Sequence, residues 1–202
     1  NVSSAPLEMP LKDGSSTSLA VTNNWGEDYL LVKFNKDGEI LWATSIGSKF
    51  RENGTPDVTV GEDGNPVICG VFNAANGNLM NESEEKREFY IGEQKYLLYP
   101  EQSKESALVK LNSTDGSVMW SRYFTGTGNQ EVLKVQAVSG SNAVAVTGKA
   151  NNQIIVEGSA GLSTETVTHV SGADHLFVIS FDVDGKLLWS KSASGDTSSE
   201  GK

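Results

Sequence analysis

Three stretches of the chain share one pattern of apolar and polar positions: Tyr29 to Ile46 (YLLVKFNKDGEILWATSI), Ala107 to Phe124 (ALVKLNSTDGSVMWSRYF) and Leu176 to Ala193 (LFVISFDVDGKLLWSKSA). Each reads as an apolar strand, a short polar turn ending in Asp-Gly, and a second strand that carries a tryptophan. The pairs are Asp37-Gly38, Asp115-Gly116 and Asp184-Gly185, and Trp42, Trp120 and Trp189 each stand four positions after the glycine. Asp-Gly between apolar runs is a strong hairpin signal, because turns that match strand twist need positive φ and glycine adopts it at little cost. In the second strand Ile40, Trp42, Thr44 and Ile46 are expected to share one face. A Trp at the same step of every copy predicts burial of all three between neighbouring sheets.

More strands are expected beyond each hairpin. Asp57 to Val60 and Val67 to Phe72 flank the turn Glu62-Asp63-Gly64-Asn65, and Val132 to Val138 and Ala143 to Thr147 flank Ser139-Gly140-Ser141-Asn142. Longer, less regular stretches containing Phe89-Tyr90-Ile91-Gly92 and Ile154-Ile155-Val156-Glu157-Gly158 complete the two copies. The chain divides into the tail of a preceding repeat (1–28), a first repeat (29–105), a second (106–173) and a partial third (174–202). Such units bury their apolar faces against one another. The expected fold is all-β, a tandem repeat of roughly four-stranded antiparallel sheets with about two complete copies plus partial ones. The third hairpin is expected to leave a sheet edge that more protein covers, since native proteins seldom leave edges bare. Thr17 to Thr22 would supply one strand where two are missing.

Composition narrows the function classes. With 21 Gly, 5 Pro, 21% charged and 37% hydrophobic residues, the chain has the balance of a turn-rich globular protein and not of a disordered one. A net charge of -10 opposes nucleic-acid binding, which depends on clustered Lys and Arg. No apolar run approaches the roughly 20 residues a membrane span needs. Cys69, the only cysteine, lies in the apolar run Pro66 to Phe72 and reads as a small buried hydrophobe, with no His or Arg close in sequence to activate it.

Candidate chemistry is sparse. Asp182-Val183-Asp184-Gly185 has the look of a calcium-loop start, but no Glu follows at loop spacing, so hairpin-turn chemistry is the expectation and no metal is assigned. His169 and His175 are too few for a histidine metal site and are expected at the surface or in turns. Gly126-Thr127-Gly128 begins a phosphate-loop motif that Glu131 breaks, and it is expected to be a strand connector. The acidic patch Glu82, Glu84, Glu85 and Glu88 is expected to be a solvated loop, although a long loop on a repeat scaffold is where a partner would bind. Glycosylation sequons at Asn1, Asn53, Asn81 and Asn112 are expected by chance in so Asn- and Ser-rich a chain. No catalytic residue and no cofactor are assigned, because the common hydrolase signatures are missing.

The segments Val32-Lys33-Phe34, Asp37-Gly38, Leu41-Trp42, Gly47, Asp63-Gly64-Asn65 and Cys69-Gly70-Val71-Phe72, with Val109-Lys110-Leu111, Asp115-Gly116, Met119-Trp120, Gly126 and Val146-Thr147-Gly148, carry a resemblance. Their order resembles the bacterial SBBP-type β-propeller repeat and, more distantly, the repeats of pyrroloquinoline-quinone (PQQ) enzymes. The resemblance implies radially packed four-stranded sheets, here as an open or partial propeller because a closed one needs at least about four blades. It implies a non-catalytic binding or scaffold module of an exported, periplasmic or cell-surface bacterial protein. Its partners would be a protein, a glycan or further repeats. The alternative is a fragment of a propeller-based enzyme, such as a quinone-dependent dehydrogenase or a polysaccharide-active enzyme, with its active site elsewhere.

Overall fold

The computed structural model describes residues 7–11, 13–19, 29–48, 55–73, 87–92, 94–98, 104–159, 161–167 and 174–194. All the regular structure among them is β. Strands β1 (Leu7–Pro10) and β2 (Ser16–Leu19) precede the first repeat, which contributes β3 (Tyr29–Phe34), β4 (Ile40–Ser48), β5 (Asp57–Val60), β6 (Pro66–Asn73), β7 (Arg87–Ile91) and β8 (Gln94–Leu98). The second repeats that order as β9 (Lys104–Leu111), β10 (Val118–Thr125), β11 (Gln130–Ala137), β12 (Val144–Ala150), β13 (Ile154–Gly158) and β14 (Glu165–Val167). The third opens with β15 (His175–Phe181) and β16 (Leu187–Ser194). The stretches expected to be irregular therefore hold a third hairpin, β7–β8 and β13–β14. Gly126-Thr127-Gly128 connects β10 to β11, as expected.

The Asp-Gly hairpins form where the pattern places them, with Gly38, Gly116 and Gly185 at φ 83, 74 and 79°. Their geometry is set one step earlier in the sequence. The Asn35 side-chain carbonyl accepts the N–H groups of Asp37 and Glu39 at 2.9 Å each, and Asp182 Oδ1 accepts those of Asp184 and Lys186 at 3.0 and 2.8 Å. An Asx side chain at the first turn position thus closes the first and third loops, while in the longer second loop Asn112 accepts the Thr114 N–H and Asp115 that of Ser117, and in all three glycine supplies the left-handed residue.

One extra residue interrupts each Trp strand. Lys33 pairs with Trp42 and Phe34 with Ile40, so Leu41 is bulged out, and Met119 and Leu188 occupy the same place in β10 and β16. A one-residue slip reverses the side-chain faces on one side of it. Trp42, Thr44 and Ile46 share a buried face as expected, but Ile40 lies opposite, beside Phe34. Strict alternation did not anticipate the bulge.

Sheets and sequence copies are out of phase. The sheet order β14-β13-β10-β9-β6-β5 joins the second hairpin of the first repeat to the first and third hairpins of the next. Before it lies β3-β4-β7-β8 and after it β11-β12-β15-β16; β1-β2 is a separate pair, and among the described residues no sheet closes on itself. All pairings are antiparallel. The central sheet is sandwiched between two apolar layers. Ile68, Ala107, Val109, Leu111 and Tyr123 pack on Tyr29, Trp42 and Ile46 of the β3–β4 sheet. On the opposite face Val67, Cys69, Leu108, Trp120 and Phe124 pack on Val132, Val146, Phe177, Ile179 and Phe181 of the following sheet. The alternation of β12, with Val144, Val146, Gly148 and Ala150 buried, leaves Ala145, Thr147 and Lys149 on the far side.

Candidate functional site: the junctions between sheets

The repeated tryptophans and the repeated turns belong to one structure. Trp42 lies under the turn of the second repeat, where its indole N–H donates to the Ser113 carbonyl at 3.0 Å. Trp120 lies under the turn of the third, donating to the Val183 carbonyl at 2.8 Å. A Cβ added at Gly116 would stand 2.7 Å from the Trp42 ring, and one at Gly185 would stand 2.7 Å from the Trp120 ring. Glycine is required there twice over, for its positive φ and for close approach to an indole face. Both tryptophans are 6% exposed.

Lysine completes the contact. Lys33 Nζ donates to the same Ser113 carbonyl, and Lys110 Nζ donates to the Val183 carbonyl at 3.2 Å. Lys110 is also paired with Asp63 at 2.6 Å, from the turn between β5 and β6. Burial pushes the Asp63 carboxyl up, but hydrogen bonds from Lys110 and Asn65 outweigh it and hold the group below its usual range. The motif Val-Lys-Phe/Leu before the turn was visible in sequence at Lys33 and Lys110, yet its role depends on a turn in the next repeat.

Arg122 was not anticipated. It sits two residues past Trp120, fully buried, with Nε donating to the Gly185 carbonyl and Nη1 to the Ser163 carbonyl, each at 2.6 Å. Nη2 faces Glu165 at 3.6 Å, and the guanidinium carbon lies 5.6 Å from the Phe181 ring centroid. Burial lowers the guanidinium pKa, opposed by Glu165 and Asp182. The planar fork of Arg122 on β10 joins β14, β15, the Gly185 turn and the Ser163 loop in one contact set.

Side chains from β5 and the turn after it seal the edge of the next sheet. Asp57 Oδ2 accepts the Val135 N–H at 2.9 Å, Thr59 Oγ1 accepts that of Ala137 at 3.2 Å, and Glu62 Oε1 accepts that of Gly140 at 2.6 Å. Ser106 adds a bridge, accepting the Val132 N–H and donating to the Gln130 carbonyl, both at 2.8 Å. Backbone groups along the β11 edge are thereby satisfied without another strand.

The remaining sequence candidates fall into place individually. Trp189, expected to be buried like its counterparts, is 46% exposed, because no turn lies over it among the described residues. Asp37, Asp115 and Asp184 are exposed turn residues, and the indole N–H of each buried Trp is taken by the carbonyl of Ser113 or Val183 instead. His175, expected at the surface, is fully buried, since it shares the β15 face of Phe177, Ile179 and Phe181. Cys69 is buried, and burial, reinforced by Asp57, pushes its thiol up to about 12. Asp182 Oδ1 is committed to its own turn. Asn112 likewise accepts the Thr114 N–H at 2.8 Å. His169, the sequons at Asn1, Asn53 and Asn81, and the patch residues Glu82, Glu84 and Glu85 lie outside the described residues, as does the Glu88 side chain.

Among the described residues no group of three or more His, Cys, Asp or Glu is placed to hold a metal ion, and no helix is long and apolar enough to cross a membrane. A shallow recess beside Trp120, bordered by Met119, Leu162 and the Val183-Asp184 turn, has Asp184 as its single ionisable lining residue. What the assembled residues do chemically is hold one sheet to the next. Neither a protein-family model nor a curated protein sequence matches the chain.

Proposed function

We propose that the chain is a β-propeller-type repeat segment of the SBBP kind, acting as a non-catalytic scaffold or binding module of an exported or cell-surface bacterial protein. One observation carries the reading: the same junction, Trp and Lys under the Ser113 carbonyl and then under the Val183 carbonyl, stacks successive antiparallel sheets twice in a row. Repetition of one inter-sheet contact is how modular β architectures grow. The repeated residues are consumed by packing, which leaves ligand recognition to turns and loops. Purified chain supplied with pyrroloquinoline quinone, calcium, a dye acceptor and a panel of alcohols and sugars is expected to show no turnover. On a glycan and protein array it is expected to bind without altering its target. Dye reduction above the cofactor-free control would overturn the non-catalytic assignment.

A further inference from the structure

Both halves of the junction occur once more in this chain without the partner they have at the two formed junctions: among the described residues no turn sits over Trp189, and no ring lies against Gly38. Trp189 holds the place of Trp42 and Trp120 and is 46% exposed. At the other end, a Cβ built at Gly38 would meet nothing within 4 Å, whereas at Gly116 and Gly185 it would strike a Trp ring. The β3 face beside that turn is open too: Leu30 and Phe34 are 46% and 54% exposed, while Ala107, Leu111, Phe177 and Phe181 at the same steps are buried.

We propose that a second copy of this chain docks head to tail, its Asn35-Gly38 turn seated over Trp189 and its Leu30 and Phe34 against the adjoining strands. The occupant follows from continuity with the two junctions already formed: a turn with a left-handed glycine and a free flank is what the indole face accepts, and this chain presents one. Charge agrees. Lys191 stands where Arg122 reaches the Gly185 carbonyl, and the pairing Lys134-Thr147-Val178-Lys191 puts on the same face a second lysine, Lys134, which also faces Asp57 at 3.4 Å. The incoming turn carries exposed Asp37 and Glu39 beside exposed Lys36, which pairs with Asp37 at 2.8 Å, and so presents an excess of acidic charge through Glu39. This face is more polar than the one around Trp120, which suits an association that forms and separates rather than a permanent one. The contact is heterologous, joining two different surfaces of the same molecule. It extends the scaffold proposal and depends only on the junction chemistry, not on a radial arrangement of sheets or on the absence of catalysis.

Sedimentation velocity across a concentration series tests it with two variants, each melted first to confirm folding. Trp189→Ala removes the platform, and Gly38→Asn keeps a residue that tolerates positive φ while placing a side chain in the way of the indole. Wild type is expected to associate with increasing concentration, and each variant to associate at least about tenfold more weakly, as for loss of a central aromatic anchor. Mixing the two variants is expected to restore association, because one supplies an intact turn and the other an intact Trp. A wild type that stays monomeric up to about 1 mM, variants that associate as well as wild type, or a mixture that fails to recover would each overturn the proposal. Turnover in the dye assay would overturn the proposed function and leave this result standing.

Discussion

Trp120 and Trp189 belong to hairpins of nearly the same sequence, and their surroundings differ completely. Trp120 is sealed by the Val183-Gly185 turn, supported by Lys110 and flanked by Arg122, whereas Trp189 has Ser180 across the ladder in place of lysine and stands half exposed. The hairpin therefore does not encode the burial of its own tryptophan. The following repeat does, through a turn whose glycine leaves room for the ring. Each repeat is incomplete at one end and complementary to its neighbour at the other, as in other quasi-one-dimensional folds.

The largest expected separation between the two regions is in the tryptophans themselves. Trp120→Ala should cost about 3–5 kcal/mol through lost burial and the cavity left behind. Trp189→Ala in dilute protein should fall within about 0.5 kcal/mol, as surface changes do. Urea denaturation of both variants measures the difference, and equal losses would break the distinction.

Next come the residues two steps on. Arg122→Ala should cost about 3 kcal/mol, since it strips buried carbonyls and Glu165 of their partner, whereas Lys191→Ala at the equivalent exposed site should change stability by less than about 0.5 kcal/mol. Thermal unfolding of the pair would show whether junction chemistry or mere position matters.

The glycines sharpen the contrast further. Gly38→Ala and Gly185→Ala both pay for a left-handed alanine, about 1 kcal/mol. Only Gly185→Ala also drives a methyl into an indole, adding about 1–3 kcal/mol of overpacking. Comparable midpoints in denaturant would mean that the ring yields more easily than its burial implies.

The smallest effect is the pH dependence of the Asp63–Lys110 pair. The folded carboxyl titrates below its ordinary 3.8, so its contribution is fully present above that value and is lost as pH falls through the lower folded pKa. Wild type should therefore lose more stability than Asp63→Asn between about pH 5 and pH 2. Parallel stability profiles in that window would show that the pair contributes nothing at the junction.

Much of the local structure was legible from pattern alone. The three Asp-Gly hairpins and the paired runs around Asp63-Gly64 and Gly140 stand where apolar periodicity and turn residues place them, whereas the hairpins β7–β8 and β13–β14 arose in stretches expected to be irregular. The junction was half legible. Its tryptophans, glycines and the Lys33 and Lys110 positions repeat visibly, but nothing in a linear reading says that Trp42 meets Gly116 instead of a residue of its own repeat. Arg122 has Thr44 and Lys191 at the equivalent steps, so no repetition marked it. His175 was misplaced for a different reason, because its polarity outweighed the alternation that puts it on the face of Phe177.

Hairpins and turns follow directly from the sequence because they depend on neighbours a few residues away, through glycine's access to positive φ and the reach of an Asx side chain to its own backbone. Which hairpins share a sheet, which face the bulge at Leu41, Met119 or Leu188 turns inward, and which tryptophan is buried depend on contacts between residues tens of positions apart. Those contacts are chosen by the packing of whole apolar faces. A local pattern marks a surface as able to be buried, and only the opposing sheet determines whether it is.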